Sequence, residues 1–228
     1  GQGYSDNYFG SLIKVIKQVY REARDVDHLH NLNGTLKKFY HGAKESDPVY
    51  LSVDELMKLY RLRITKNAVL NEWPDLCGEK AVRQRIATCE LIRNRFLIGA
   101  FSGMRVSDFS RFSESNIVDG MIMMRTRKTD TPIAIPLHPV IQRILESDFD
   151  LSKTISDQKM NLYQGGGENG RDRRKSDNLR TSRGELKEIR VEKYTLISTH
   201  TARRSFATHL QRSKVPLTAI SKALGHKK

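Results

Sequence analysis

The chain has 228 residues, 40 of them Lys or Arg and 26 Asp or Glu, giving a net charge of +14 and a pI of about 9.9. With 38% hydrophobic residues, that length supports one sizeable core or a large domain with a smaller companion, and the positive excess favours a polyanionic partner. No run of about 18 apolar residues exists to span a bilayer. GQGYSDNYFG is not a signal peptide, and Cys77 and Cys89 are too few for a disulfide framework and lack metal-ligand spacing. A reduced, intracellular protein with nucleic acid as its partner is the expectation.

Tyr8 to Arg24 reads as a helix, with Leu12, Ile13, Val15, Ile16, Val19, Tyr20 and Ala23 on one side and Lys14, Lys17 and Arg21 on the other. Those three cations are either the solvated face of a packed helix or a face that meets a DNA backbone, where each neutralised phosphate steepens the salt dependence. His28 and His30, with Asp25 and Asp27, are ligand types but match no metal-site spacing, so no metal is assigned. Asp25 to Pro48 is polar, with breakers at Asn31, Asn33 and Gly34 and a stop at Ser46-Asp47-Pro48, which marks a linker. A lone helix does not make a stable domain. Residues 1–46 are therefore expected to be part of an incomplete helical module that begins before Gly1, and residues 47–228 a second domain.

Ser52-Val53-Asp54-Glu55 is a capping box that opens a helix over Val53–Arg61. Trp73-Pro74 and Cys77-Gly78 belong to a loop, and Ala81 to Ala100 is a long helical run whose Ile86, Ile92, Phe96 and Leu97 suit the centre of a core. It stops at Ser102-Gly103, and Arg105 follows at once. Asp108 stands at the spacing where a carboxylate can brace that guanidinium on a helical turn, a local pair that stabilises little if exposed. Asp119-Gly120 is a hairpin signal between strands Ser115–Val118 and Met121–Arg127. A second turn, Lys128-Thr129-Asp130-Thr131, leads to the strand Pro132–Pro136 and sets Lys128 near a hairpin tip. Pro139–Leu145 starts another helix. Gln164–Arg190, with three successive glycines and the run RDRRK from Arg171, reads as a loop or phosphate-attracted arm, its later part, within RTSRGELKEIRVEKY, as a hairpin turning at Arg183-Gly184.

In TLISTHTARRSFATHL, Ser198 and Thr199 are N-cap types, and Ala202, Phe206 and Leu210 form a stripe that should enter the core. Arg203 sits near the edge of that stripe, whereas Arg204 points to solvent. His200 and Arg203 converge on one spot at the positive end of the helix dipole. A half-buried guanidinium needs compensation for its lost hydration. No carboxylate lies between Leu196 and Lys228, which points to a phosphate. On these residues alone, a surface helix capped by His200 in a basic protein stays open. Pro216 then opens a helix with Leu217, Ile220 and Leu224 as its apolar stripe, before Gly225 and His226.

Taken in order, SGMRVSD, RTRKTDTPIAIPL, STHTARRSFATHL and ALGH resemble the tyrosine recombinases, the phage integrase family, in the form found in integrases of bacterial mobile elements. The resemblance covers residues 50–228 and implies a mainly helical fold with a small antiparallel sheet: a catalytic domain preceded by part of a core-binding domain. It matches Arg105 to the family's first arginine, Lys128 to its hairpin lysine, His200 and Arg203 to H-x-x-R, and His226 to its last histidine. It also implies site-specific cutting and rejoining of DNA through a 3′-phosphotyrosyl link, without metal or cofactor. Partners would be double-stranded attachment sites, with a homotetramer on DNA, a free monomer, no membrane, and a location in the bacterial cytoplasm with the nucleoid. The family's nucleophilic tyrosine follows the last histidine, and none of the eight tyrosines here has that place, so the chain is expected to be truncated before its nucleophile and inactive alone. A type IB topoisomerase-like activity and a catalytically silent binder of attachment sites remain as alternatives.

Overall fold

The computed structural model describes residues 6–30, 39, 49–109, 111–147, 149–153, 155–164 and 193–226. The arm expected after Gln164, the hairpin at Arg183-Gly184 and most of the linker before Pro48 lie outside the described residues. The chain divides into two compact units, Gly1–Asp47 with Arg180–Leu186, and Pro48–Leu179 with Lys187–Lys228.

In the first unit, helix α1 spans Asp6–Asp25. Its apolar side, which the sequence suggests is packed, is largely exposed: Leu12, Val15, Ile16 and Val19 are 42–63% accessible. Among the described residues of this unit no second element covers them.

The second unit contains the core. Helix α2 spans Val53–Arg61 and opens on the expected box, the Ser52 amide donating to Glu55 Oε2 (2.7 Å) and the Glu55 amide to Ser52 Oγ (3.2 Å). Helix α3, Lys66–Glu72, is capped by Thr65. Helix α4 runs from Glu79 to Ser102, longer at both ends than its apolar run suggests. Its second half, from Ile92 through Ala100, is buried almost all round, as a helix with neighbours on every side must be. A four-residue helix α5, Val106–Phe109, follows.

Strands β1 (Ile117–Val118), β2 (Met121–Arg125) and β3 (Pro132–Pro136) make an antiparallel meander in chain order. Ile122 pairs with Ile135, and Met124 with Ile133, so one face carries the buried isoleucines 122, 133 and 135 into the core while Met123 stays half exposed. The first two strands are shorter than expected, for local reasons. A 3₁₀ turn at Glu114–Asn116 consumes the start of the first, held by the Ser113 amide on Asn116 Oδ1 (3.0 Å). Thr126 leaves the ladder for the hairpin turn, its amide donating to Thr131 O (3.0 Å). Helices α6 (Pro139–Leu145), α7 (Asp157–Gln164), α8 (Thr199–Arg212) and α9 (Leu217–Ala223) complete the unit.

Helix α8 is locked from several sides. Ala202 and Phe206 are buried in the core. The Leu51 amide donates to Ser205 Oγ (2.9 Å), and His209 Nε2 lies 2.9 Å from Leu51 O. Phe206 packs against the end of α4, where Gly103 adopts φ +69°. A Cβ there would lie 2.5 Å from the Phe206 ring. Gly103 is therefore demanded both by its left-handed backbone and by the ring against it. Gly103→Ala should destabilise the fold by about 2–5 kcal/mol, the sum of αL strain and overpacking, read as a lower midpoint in denaturant unfolding.

Candidate active site

Arg203 is the buried centre of the site, 7% exposed, on the core-facing side of α8. Its Nη1 donates to Gly103 O (2.8 Å), and its Nη2 donates to Leu224 O (2.5 Å) and to His226 Nε2 (3.1 Å). Gly103 and Leu224 are the C-caps of α4 and α9. The guanidinium is thus held between the negative ends of two helices. The sequence alone suggests that only an anionic ligand could offset its desolvation. The fold instead offsets part of that cost with carbonyl dipoles, which carry no net charge, so the site stays cationic. Burial first, then neighbouring Arg105, lowers the Arg203 pKa to about 10, with Asp108 acting the other way. At neutral pH the group remains charged.

Arg105 lies just beyond the end of α4, half-buried, and its Nη1 is shut off from solvent with no hydrogen-bond partner among the described residues. Such an atom costs free energy unless a ligand meets it. His200, at the start of α8, is held below the usual histidine range by partial burial and then by the charges of Arg204, Arg203, Arg105 and Lys128. His226 is held low by burial and by Arg203 and Arg105. Both imidazoles are therefore neutral at physiological pH. Because a guanidinium only donates, His226 Nε2 accepts from Arg203 and its proton sits on Nδ1. Lys128 is exposed on the β2–β3 turn, near enough for its charge to act on His200. The five residues come from four segments of chain and meet in one cluster.

Two sequence expectations change. Asp108 does not brace Arg105. It is fully buried, and its Oδ1 accepts the Arg127 amide (2.8 Å), so the one carboxylate of the site fastens the backbone next to Lys128. The N-terminus of α8 is also less open than expected. The Thr199 amide donates to Asn161 Oδ1 of α7 (2.8 Å), and the Ser198 amide to Thr201 Oγ1 (3.0 Å). Sequence reasoning missed Asn161 entirely, and no local signal marks it.

Arg204 is exposed, one residue from the buried Arg203. Lys14, Lys17 and Arg21 fall on one side of α1, where they share a shallow concavity with Glu22 and Asp25, so that face is mixed in sign. Within the second unit, a groove of about 530 Å³ lined by Leu59, Leu62, Trp73, Cys89 and Phe96 contains none of the five clustered residues. The volume is suited to an apolar ligand, but the convergent polar groups that mark a site of chemistry lie elsewhere.

The chain belongs to the phage integrase family, whose model matches residues 64–228. Comparison with the curated proteins gives no match. Among solved structures, the fold resembles a lambda integrase chain from a tetramer bound to a Holliday junction, with TM-score 0.55 and 18% identity over 96% of this chain and 56% of that one. It also resembles the Tn1549 transposon integrase in complex with circular intermediate DNA, with TM-score 0.54 and 14% identity over 100% of this chain and 73% of that one. The present chain thus spans little more than half of the lambda integrase chain. At such identities the likeness is one of fold.

Asp108→Ala should cost about 1–3 kcal/mol, the penalty of a part-buried amide left without its acceptor, whereas Asp108→Asn, which keeps an oxygen at that position, should cost less. Urea unfolding of the two variants measures the difference. The histidines set a pH dependence. Their folded pKa values lie below the ordinary 6.5, so on acidification the unfolded chain takes up protons first. The stability they confer is complete above that value and is lost as pH falls through the folded values. Thermal melts from neutral to acidic pH should show this decline, and His226→Asn should flatten it.

Proposed function

We propose that this protein is a site-specific DNA recombinase that cuts and rejoins strands through a 3′-phosphotyrosyl intermediate. The observation that carries the reading is a cluster of the Arg105 and buried Arg203 guanidiniums, one lysine and two neutral imidazoles, in which Arg203 hydrogen-bonds carbonyls and no carboxylate, so that the site stays cationic. A phosphodiester oxygen is the ligand such a cluster favours, and preorganised cations are the main device for stabilising a charged phosphoryl transition state.

In the proposed reaction a tyrosine oxygen attacks the scissile phosphorus and the bond to the 5′ oxygen breaks. Arg105 and Arg203 hold the non-bridging oxygens. His200, neutral and on the exposed rim, helps take the tyrosine proton. Lys128 gives a proton to the departing 5′ oxygen, and His226 donates from Nδ1 to the phosphate. A 5′-hydroxyl of the partner strand then attacks the phosphotyrosine, releases the tyrosine and restores a diester. Atoms and protons balance without a metal. None of this chain's eight tyrosines is assigned as the nucleophile. Lys14, Lys17 and Arg21 are assigned to backbone contact with duplex DNA, and the active assembly is a tetramer on two duplexes.

Arg203→Ala in the complete protein should lower strand cleavage by about 10²–10³-fold, the usual cost of one oxyanion-stabilising donor, while DNA affinity changes little. Arg204→Ala should be much milder. Covalent protein–DNA adduct on nicked suicide duplexes measures cleavage, and gel shift measures affinity. Lost binding with unchanged cleavage per bound complex would overturn the role of Arg203.

A further inference from the structure

Lys128 and His226 stand on segments far apart in sequence, yet a chain of hydrogen bonds joins the two. Thr129 Oγ1 donates to Gly225 O at 2.9 Å, across 96 residues. Gly225 O only accepts, so the single hydroxyl hydrogen of Thr129 is committed to it. In the 2.7 Å contact between the hydroxyls of Thr126 and Thr129, Thr126 must therefore be the donor. The Thr131 amide in turn donates to Thr126 Oγ1 (3.2 Å). The result is a directed relay from the Thr131 amide through both hydroxyls to the carbonyl that precedes His226, each bond polarising the next.

Packing reinforces the relay. Thr126 is 2% exposed, and a Cβ on Gly225 would lie 2.8 Å from Thr126 Cγ2 and 3.1 Å from Ile133 Cγ2. The left-handed Gly225 (φ +63°) is thus seated directly on the base of the hairpin. The other side of the turn is clipped by Arg125, whose Nε and Nη2 reach the Asp130 carboxylate at 2.9 and 2.8 Å. Lys128 itself is exposed, so its own side chain contributes little to this order.

We propose that Thr129 is a positioning residue, a latch that sets the Lys128 hairpin and the Gly225–His226 turn as one unit, so that proton donor and phosphate-binding imidazole reach the scissile group together. The proposal rests on the strand-transfer reading above. It predicts that a threonine whose hydroxyl is bound to the protein's own Gly225 O and Thr126 governs the step that needs the lysine proton.

The test compares Thr129→Val, Thr129→Ala and Thr129→Ser in the complete protein, on short nicked duplexes from the DNA flanking its own coding sequence. Each duplex is made with either oxygen or sulfur at the bridging 5′ position. A thiolate leaves without protonation. On the oxygen substrate, Thr129→Val and Thr129→Ala should slow cleavage by about ten- to a hundredfold, the range for a misplaced general acid, and Thr129→Ser should stay close to wild type. On the sulfur substrate the deficit should shrink to the smaller part owed to a displaced His226, whereas Lys128→Ala should be rescued outright. All variants are assayed well below their melting temperatures, which separates a fold defect from a chemical one.

An equal deficit on both substrates, with Lys128→Ala still rescued, overturns the latch, as does an unchanged rate on oxygen. Failure of sulfur to rescue Lys128→Ala, or no cleavage by the wild-type protein, overturns the underlying strand-transfer reading instead. On the 228-residue chain alone, Thr129→Val should let His226 titrate closer to an ordinary histidine by NMR as the turn loosens. An unmoved titration counts against the latch.

Discussion

A guanidinium buried between two helix ends is the constraint on which the rest of the second unit depends. Arg203 needs acceptors inside the protein, and it finds them in Gly103 O and Leu224 O. Those acceptors exist only if α4 ends where it does, if α9 ends beside it, and if α8 lies between them with Phe206 against Gly103. Positive charge near a helix C-terminus is stabilised by about 0.3–1 kcal/mol at a surface and by more when partly buried. A carboxylate would hold the arginine more firmly, but it would cancel the field that an anionic ligand is meant to meet. Carbonyl ligands resolve that conflict. The lowered pKa of Arg203, with Arg105 as its second cause after burial, records the strain that remains.

The same economy governs Asp108. It is a fully buried carboxylate in a cationic neighbourhood, with Oδ1 turned to the Arg127 amide and not paired with either arginine. Its charge acts on Arg203 at a distance, while its hydrogen bond orders the backbone that carries Lys128. Asn161 does comparable work at the other edge, holding the first turn of α8 where His200 begins. A side chain that binds backbone, and not the cations, fixes geometry without weakening the positive potential. The proposed active site is accordingly an exposed cationic surface on a rigid base. That form suits a polymer backbone better than the apolar groove beside α3 does.

The parts of the fold legible in the sequence are those governed by neighbours a few residues away. The box at Ser52 and Glu55 defines the start of α2, and Pro132 and Pro136 bound β3 as read. Alternation of burial about Ile122, Ile133 and Ile135 follows from the pleat. Helix α3 was not anticipated, although Thr65 before a helix-permissive stretch is its local signal. The ends of β1 and β2 were overdrawn because Ser113 and Thr126 divert the backbone into turns that compete with the ladder. Helical spacing alone brings His200 and Arg203 together, whereas the convergence of Arg105, Lys128 and His226 on them follows only from family resemblance.

The sequence by itself determined the charge excess, the positions of the capped and strongly periodic helices and of the hairpin turns, and which cations were available in which order. Helical period also separates Arg203 from Arg204, whose side chains leave the helix about 100° apart. The tertiary structure alone decided how deeply Arg203 is buried, which carbonyls receive it, and that Asp108 serves the hairpin and not Arg105. It also decided that Thr129 meets Gly225, 96 residues away. Propensity and capping act through backbone within a turn or two, whereas desolvation and hydrogen bonding between remote segments exist only after packing has brought those segments together.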